Sequence, residues 1–369
     1  MKKQSIKYEL CVITLFIGLL LTFSIIFTVN ATVENSNLSP QCYDGSSISG
    51  DGFLPDFTRA AFQNSSTLSR INEYRYRLFG VVDHPNVFGG KEGFLFEIEN
   101  EENGYNYIED YTGGSTFTVE ESVAILRALR EKKAGYAQRG AQYLVVVLPN
   151  AQSVYDEYMP DYLGAISANT RLSALEDFLR ESDFGYFLNP TEDLDAKRGE
   201  GLLYNNTENT LNSRGMYFIY RAICDHISPT VLQNVNILQY EALDFYHHTT
   251  KGKQIAEKAN LADVALNQTV SLSNTTKLNY RFVYDVGYAS TSQMYSFGQS
   301  FDVDSSPSLL LQFGDEWEAS QAEPFFSGTF GRVTYQIGYE DSLSVFEQAD
   351  PDIVIQFIRE DELSLFLQH

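Results

Sequence analysis

Three mainly apolar runs restrict the fold of this chain more than any other feature: YLVVVL (143–148), SLLLQF (308–313) and DIVIQFI (352–358). Strands that do not alternate with polar residues are typical of a parallel sheet covered on both faces. Between the runs lie helical patterns, the clearest of which begins with a capping box at Thr118 and Glu121. This alternation predicts an α/β fold with a parallel sheet between two layers of helices.

Other segments extend the same pattern. A glycine-rich turn from Phe88 precedes a strand, helices begin at Thr170 and after Asn212, and a third helix lies near 341–349. Further short strands are predicted at Phe187–Leu188 and 332–337, and the polar stretch 250–300 gives no clear element. Ligands of such sheets bind beyond the carboxyl ends of the strands. The loops after Leu148, Leu188 and Phe313 are therefore the places to expect a site.

The N-terminus has the pattern of a membrane anchor. Residues 10–29 are an uncharged run of 20 residues preceded by Lys2, Lys3 and Lys7, which matches the thickness of a bilayer and keeps the N-terminus cytoplasmic. The alternative is a signal peptide cleaved near Val29 and Ala31, which would give a secreted protein. Both interpretations place the remaining chain outside the cytoplasm. We predict an anchor or signal over 1–30, a polar linker and lead-in over 31–74, and one domain over 75–369.

The charge and the cysteines narrow the choice of partners. A net charge of −23 argues against nucleic acid and against a strongly anionic polymer, so that a neutral glycan or another protein is the easier partner. Cys11 lies in the apolar run, while Cys42 and Cys224 could form a disulfide in an oxidising compartment or stay free. No pair of histidines or cysteines has the spacing of metal ligands, and we expect neither a metal nor a cofactor.

Four segments, in order, resemble motifs of the AlgJ/AlgX family of SGNH-like polysaccharide O-acetyltransferases. They are GGKEGFLF (89–96), VVVLPNAQSVYDEYMP (145–160), LYNNTENTLNSRGMYFIYRAI (203–223) and LLLQFGDEWEAS (309–320). The resemblance covers about residues 75–369. It implies an SGNH-like, flavodoxin-like fold of three α/β/α layers and a polysaccharide as partner.

The resemblance also exposes what the chain lacks. In that family a serine is the nucleophile, a histidine takes its proton and an aspartate orients the imidazole. The matching positions here hold Glu316, Thr210 and Glu208, and Asp315 beside the nucleophile position is kept. The lysine that follows the Pro-Asn pair in the family is Ala151. Threonine cannot accept a proton near neutral pH and glutamate cannot form an acyl-serine ester, so the resemblance predicts a scaffold without the chemistry.

Several interpretations of these positions stay open. If the motifs converge, Glu208 and Glu316 would face each other across the site, where paired carboxylates could hydrolyse a glycoside. Alternatively, each would be hydrated or paired with Arg214 or an amide. Asn150, Tyr155 and Trp317 are candidates for binding a ligand, with Tyr155, Tyr204 and Trp317 stacking on sugar rings or, alternatively, packing in the protein.

Our leading hypothesis is a catalytically degenerate relative that binds glycan or assists assembly of an exopolysaccharide acetylation machinery beside a membrane O-acyltransferase. One alternative is an active acetyltransferase or acetylesterase that uses other residues. Another is a structural envelope protein without a ligand.

Overall fold

The computed structural model describes residues 65–227, 232, 235–276, 278, 280–290, 293–300, 306–339 and 343–368. One compact unit begins at Asn72, and of the unit before it only residues from Ser65 are described. The predicted anchor and Cys42 lie outside the described residues. Within the described ranges, no helix combines the length and the apolar character needed to cross a bilayer.

Helices and strands follow one another in the order that the sequence predicted over most of the domain. The helices are α1 (Ser65–Phe79), α2 (Tyr107–Tyr111), α3 (Val119–Gln138), α4 (Ala151–Val154), α5 (Arg171–Glu181), α6 (Thr191–Asp195), α7 (Ser213–His226), α8 (Gln254–Lys258), α9 (Glu316–Ser327) and α10 (Leu343–Ala349). The strands are β1 (Val87–Gly89), β2 (Leu95–Glu97), β3 (Glu99–Asn100), β4 (Tyr105–Asn106), β5 (Gln142–Leu148), β6 (Phe187–Leu188), β7 (Phe245–Lys251), β8 (Leu266–Leu272), β9 (Tyr280–Ser290), β10 (Gln293–Ser300), β11 (Ser308–Phe313), β12 (Arg332–Ile337) and β13 (Ile353–Arg359).

The central sheet has seven strands in the order β6-β5-β13-β11-β12-β10-β9. Its first five strands are parallel, as the apolar runs predicted. The two remaining strands are antiparallel: β10 pairs with β12, and β9 pairs with β10. The expectation of a purely parallel sheet is therefore wrong at this edge. The stretch 250–300 also supplies β8 and the last two residues of β7, and these two strands form a separate antiparallel hairpin.

Successive residues of the central strands contribute to two hydrophobic cores. In β13, Ile355 and Phe357 pack in the core beneath α7 and α9, whereas Val354 and Ile358 pack in the core beneath α3 and α5. All four side chains are buried. This alternation accounts for the unbroken apolar runs, because both faces of a parallel sheet are covered. The predicted three layers are confirmed for the parallel part of the sheet.

Local signals fixed the starts of the long helices. The capping box of α3 is complete, since Thr118 accepts from the Glu121 N–H and Glu121 accepts from the Thr118 N–H at 2.8 Å. Asn212 caps α7 by accepting from the backbone N–H groups of Arg214 and Gly215 at 3.0 and 3.1 Å. These caps satisfy donors that would otherwise lack partners at a helix start. The cap at Asn212 also ends the loop that precedes α7.

Candidate functional site

The segment that resembles the family's aspartate–histidine motif forms a tight loop before α7. An isolated bridge joins Tyr204 to Leu211, and the Asn205 N–H donates to the Thr210 carbonyl at 3.0 Å. The Asn206 side-chain amide anchors the loop from outside by donating to the carbonyls of Gly93 and Leu266. The backbone of this loop is therefore held on several sides.

Inside the loop, three side chains form a closed polar triangle. The Thr210 hydroxyl donates to Glu208 Oε2 at 3.1 Å, and the Asn205 amide donates to both the Thr210 hydroxyl (2.9 Å) and Glu208 Oε2 (3.0 Å). Burial raises the pKa of Glu208, although these hydrogen bonds act in the opposite direction. Glu208 and Thr210, two positions assigned by the resemblance, are therefore hydrogen-bonded to each other. The third member, Asn205, was not predicted, because nothing in the spacing of the motif marks it.

Asn209 links this loop to the segment after β5. Its Oδ1 accepts from the Ala151 N–H at 2.7 Å, and its Nδ2 donates to Asn150 Oδ1 at 3.1 Å. Asn150 is itself buried, and its backbone N–H donates to Glu360 at 2.7 Å. These hydrogen bonds join the second and third of the motif segments that the resemblance identified. Asn150, a predicted ligand-binding residue, here holds the loops together.

The loop that replaces the nucleophile turn follows β11. Asp315 caps α9 by accepting from the Glu318 N–H at 2.9 Å, and Glu316 is the exposed first residue of that helix. Glu316 makes no hydrogen bond or ion pair with any residue that the structure describes. A Cβ at Gly314 would lie 2.7 Å from Tyr339 Oη, so this position requires glycine. The kept Gly-Asp pair therefore has a structural reason.

The two motif segments are neighbours, but their carboxylates are not joined. The Ser213 hydroxyl in the first turn of α7 donates to Gln321 of α9 at 2.7 Å. No contact between described residues links Glu316 to Glu208 or Thr210. Arg214 pairs with neither carboxylate, so the predicted alternative of an ion pair with Arg214 is not realised.

The aromatic candidates have different environments. Tyr155 is only 2% exposed, with ring centroids of Phe94, Tyr158 and Tyr204 at 5.5, 5.0 and 5.8 Å. Its hydroxyl accepts from the Leu203 N–H at 2.8 Å. The Tyr155 ring has no free face on which a sugar could stack, and it packs in the hydrophobic core. Tyr204 is fully buried and packs in the same core. Trp317 is 47% exposed and stays a predicted ligand-binding residue.

A group of buried acids at the end of β13 was not predicted. Glu360 accepts from Asn150 and from the Ser153 hydroxyl, and burial together with nearby Asp110 raises its pKa to about 8. Glu318 lies 5% exposed with Oε2 unpartnered, and burial raises its pKa to about 8. Burial would also raise the pKa of Asp361, but Arg359 holds it below its ordinary value. Buried carboxyl groups with shifted pKa values therefore include Glu318, three residues after Asp315, and Glu360 and Asp361 at the end of β13.

Neither a replacement triad nor a metal centre is present in the described part of the chain. There, no serine, threonine or cysteine forms a hydrogen bond with a histidine, and no group of three histidines, cysteines or acids could hold a metal ion. Cys224 is buried in α7, and burial raises the pKa of its thiol to about 12. A thiol in this state is unreactive. Its proposed disulfide partner, Cys42, lies outside the described residues.

Comparison with known proteins bears on the fold. No protein-family model matches the sequence, and no curated protein matches it. Among solved structures, Bacillus cereus PatB1 is similar with a TM-score of 0.51 at 10% identity, over 75% of this chain and 96% of that one. The predicted resemblance is confirmed at the level of the fold.

Two further structures overlap less well with the chain. The O-acetyltransferase domain of Pseudomonas putida AlgJ gives a TM-score of 0.47 at 13% identity, over 76% of this chain and 93% of that one. Pseudomonas aeruginosa AlgX gives 0.49 at 14% identity, over 80% of this chain and 67% of that one.

Proposed function

We propose that this SGNH-like domain binds a polysaccharide in the cell envelope without transferring an acyl group. The closed triangle of Glu208, Thr210 and Asn205 carries the proposal. The resembling family has an imidazole at position 210. Here the Thr210 hydroxyl donates a hydrogen bond to the Glu208 carboxylate. A hydroxyl in this state cannot serve as a general base near neutral pH, and Glu316 offers no hydroxyl nucleophile.

The exposed part of the site is suited to a sugar. Glu316 presents a free carboxylate that can accept hydrogen bonds from hydroxyl groups, and its neighbour Trp317 presents about half of its surface. An aromatic face beside a hydrogen-bond acceptor is a common way to hold a carbohydrate ring, which has apolar faces and polar edges. The proposal places the domain outside the membrane, held by its N-terminal segment, where a membrane O-acyltransferase would be its partner.

Replacing Trp317 by alanine is expected to weaken binding to a polysaccharide about threefold to tenfold, because one stacking surface is lost. Affinity electrophoresis of the purified protein through gels that contain neutral polysaccharides, acetylated and de-acetylated, measures this change. Tyr162→Ala is the matched control, since Tyr162 is an exposed aromatic at 79% but lies outside the motif loops. Equal retardation of the wild type and Trp317→Ala would refute this site, and no retardation at all would favour a structural envelope protein.

A further inference from the structure

Arg214 is a buried cation without a counter-charge. It lies in the first turn of α7 with only 6% of its surface exposed. No carboxylate within the described ranges forms an ion pair with it. Its Nε and Nη1 atoms have no hydrogen-bond partner among the residues that the structure describes, and Nη2 reaches His247 Nε2 at 3.3 Å.

This arrangement is unfavourable for the protein alone. A buried guanidinium that lacks an anionic partner loses its hydration without compensation. The start of α7 adds partial positive charge from the helix dipole, which acts against a cation and in favour of an anion. The ring of Phe245, whose centroid lies 5.5 Å from the guanidinium carbon, offers only a weak cation–π contact.

His247 and Gly201 are the neighbours of the guanidinium that restrict the approach of a ligand. Arginine has only donors, so His247 Nε2 accepts and its Nδ1 carries the proton. His247 is exposed on β7, and because the two ring nitrogens point in different directions, its Nδ1 faces away from the guanidinium. A Cβ at Gly201 would clash with Arg214 Nη1, and Gly201 has φ +119°. The backbone therefore lies close to Nη1, and Nε is the donor that neither neighbour engages.

We propose that Arg214 and His247 form a recess that binds a single carboxylate group. The guanidinium supplies the charge and the directed donors that a monoanion needs, and the neutral imidazole of His247 holds Nη2 in place. A dianion such as sulfate is less suited to the recess, because its two charges would be balanced by one cation in a chain of net charge −23. The carboxylate could belong to a free acid or to an acidic sugar. The recess does not involve Glu208 or Glu316, so it stands whether or not the motif site binds a glycan.

Thermal unfolding of the whole protein tests the recess. Sodium acetate or sodium glucuronate replaces sodium chloride at constant ionic strength and pH 7, with sulfate as the dianion and glucose as the neutral sugar. Both carboxylates are expected to raise the Tm by a few degrees once they exceed their Kd, because they bind the folded state. Arg214→Met should abolish this response, and in chloride alone its Tm should equal or exceed that of the wild type.

Two further variants make the result decisive. Arg221→Met removes an arginine from the same helix that is paired with Asp225, and it should keep the carboxylate response. His247→Ala changes an exposed residue and should reduce the response severalfold, which covers the case in which Arg214→Met does not fold. Equal effects of acetate and glucuronate would assign a free acid, and a stronger effect of glucuronate a sugar-borne carboxylate. A response to sulfate alone, no response, or one that persists in the folded Arg214→Met and His247→Ala proteins would overturn the proposal.

Discussion

Replacing Glu318 by glutamine is expected to stabilise the folded protein at pH 8 and to leave its stability at pH 5 nearly unchanged. Burial raises the pKa of Glu318 to about 8 in the folded state, above its ordinary value near 4.5. Between these two values the folded protein holds a proton that the unfolded chain has released. Stability is therefore highest at low pH and falls as the pH rises through this window.

The size of the effect follows from the environment of the carboxyl group. Arg359 favours the charged form of Glu318, whereas Asp315, Glu362 and Asp361 oppose it, and Oε2 has no hydrogen-bond partner. Glutamine has the same shape without the charge. We expect a gain on the order of a few kcal/mol at pH 8, since one pKa unit corresponds to about 1.4 kcal/mol.

Urea denaturation followed by circular dichroism at pH 5 and pH 8 measures this difference. Glu316→Gln is the control, because Glu316 lies two residues earlier and is exposed. The pH dependence that remains in Glu318→Gln is expected to come mainly from Glu360, whose pKa is also raised to about 8, with smaller contributions from Glu208 and Glu362. A loss of stability in Glu318→Gln at both pH values would contradict the account of this carboxyl group.

Changing Thr210 to histidine and Glu316 to serine together is expected to create weak esterase activity, at least tenfold above either single variant. A serine without a base stays protonated, and a histidine without a nucleophile has nothing to activate, so the two act as one unit. Glu208 already hydrogen-bonds the side chain at position 210 and can orient the new imidazole. Its extra methylene, compared with aspartate, is expected to keep the rate low.

Hydrolysis of p-nitrophenyl acetate by the double variant, both single variants and the wild type measures this gain. Circular dichroism establishes that each variant is folded. A folded double variant that is no more active than the singles would show that the site has diverged beyond the triad positions.

Local and apolar patterns predicted most of the domain. The capping box at Thr118 needs only neighbouring residues, and the run 143–148 needs only burial on both faces. In contrast, β9 and β10 pair antiparallel with each other at the sheet edge, within the stretch 250–300 for which no clear element was predicted. The prediction of a parallel sheet is wrong at this edge because β10 pairs antiparallel with β12. Such pairing depends on the neighbouring strand and not on the intrinsic propensity of the segment.

The candidate site, like the fold, could be predicted from the sequence only in part. The resemblance assigned Glu208 and Thr210 to one short motif, and two residues in a tight loop cannot separate far. Asn209 could not be predicted, since its role is to bridge to backbone 58 residues away in the chain. Tyr155 was expected in the site for a related reason: its position in the chain is near the motif, but its ring turns into the core.

The most direct test of the account is the acetylesterase activity of the unaltered protein. The purified wild type is expected to hydrolyse p-nitrophenyl acetate no faster than a heat-denatured sample of the same concentration, because Glu316 and Thr210 supply neither nucleophile nor base. Turnover well above that control, abolished by changing one residue of the loops at 205–210 or 314–317, would contradict the central claim that the chain has kept the fold without the chemistry.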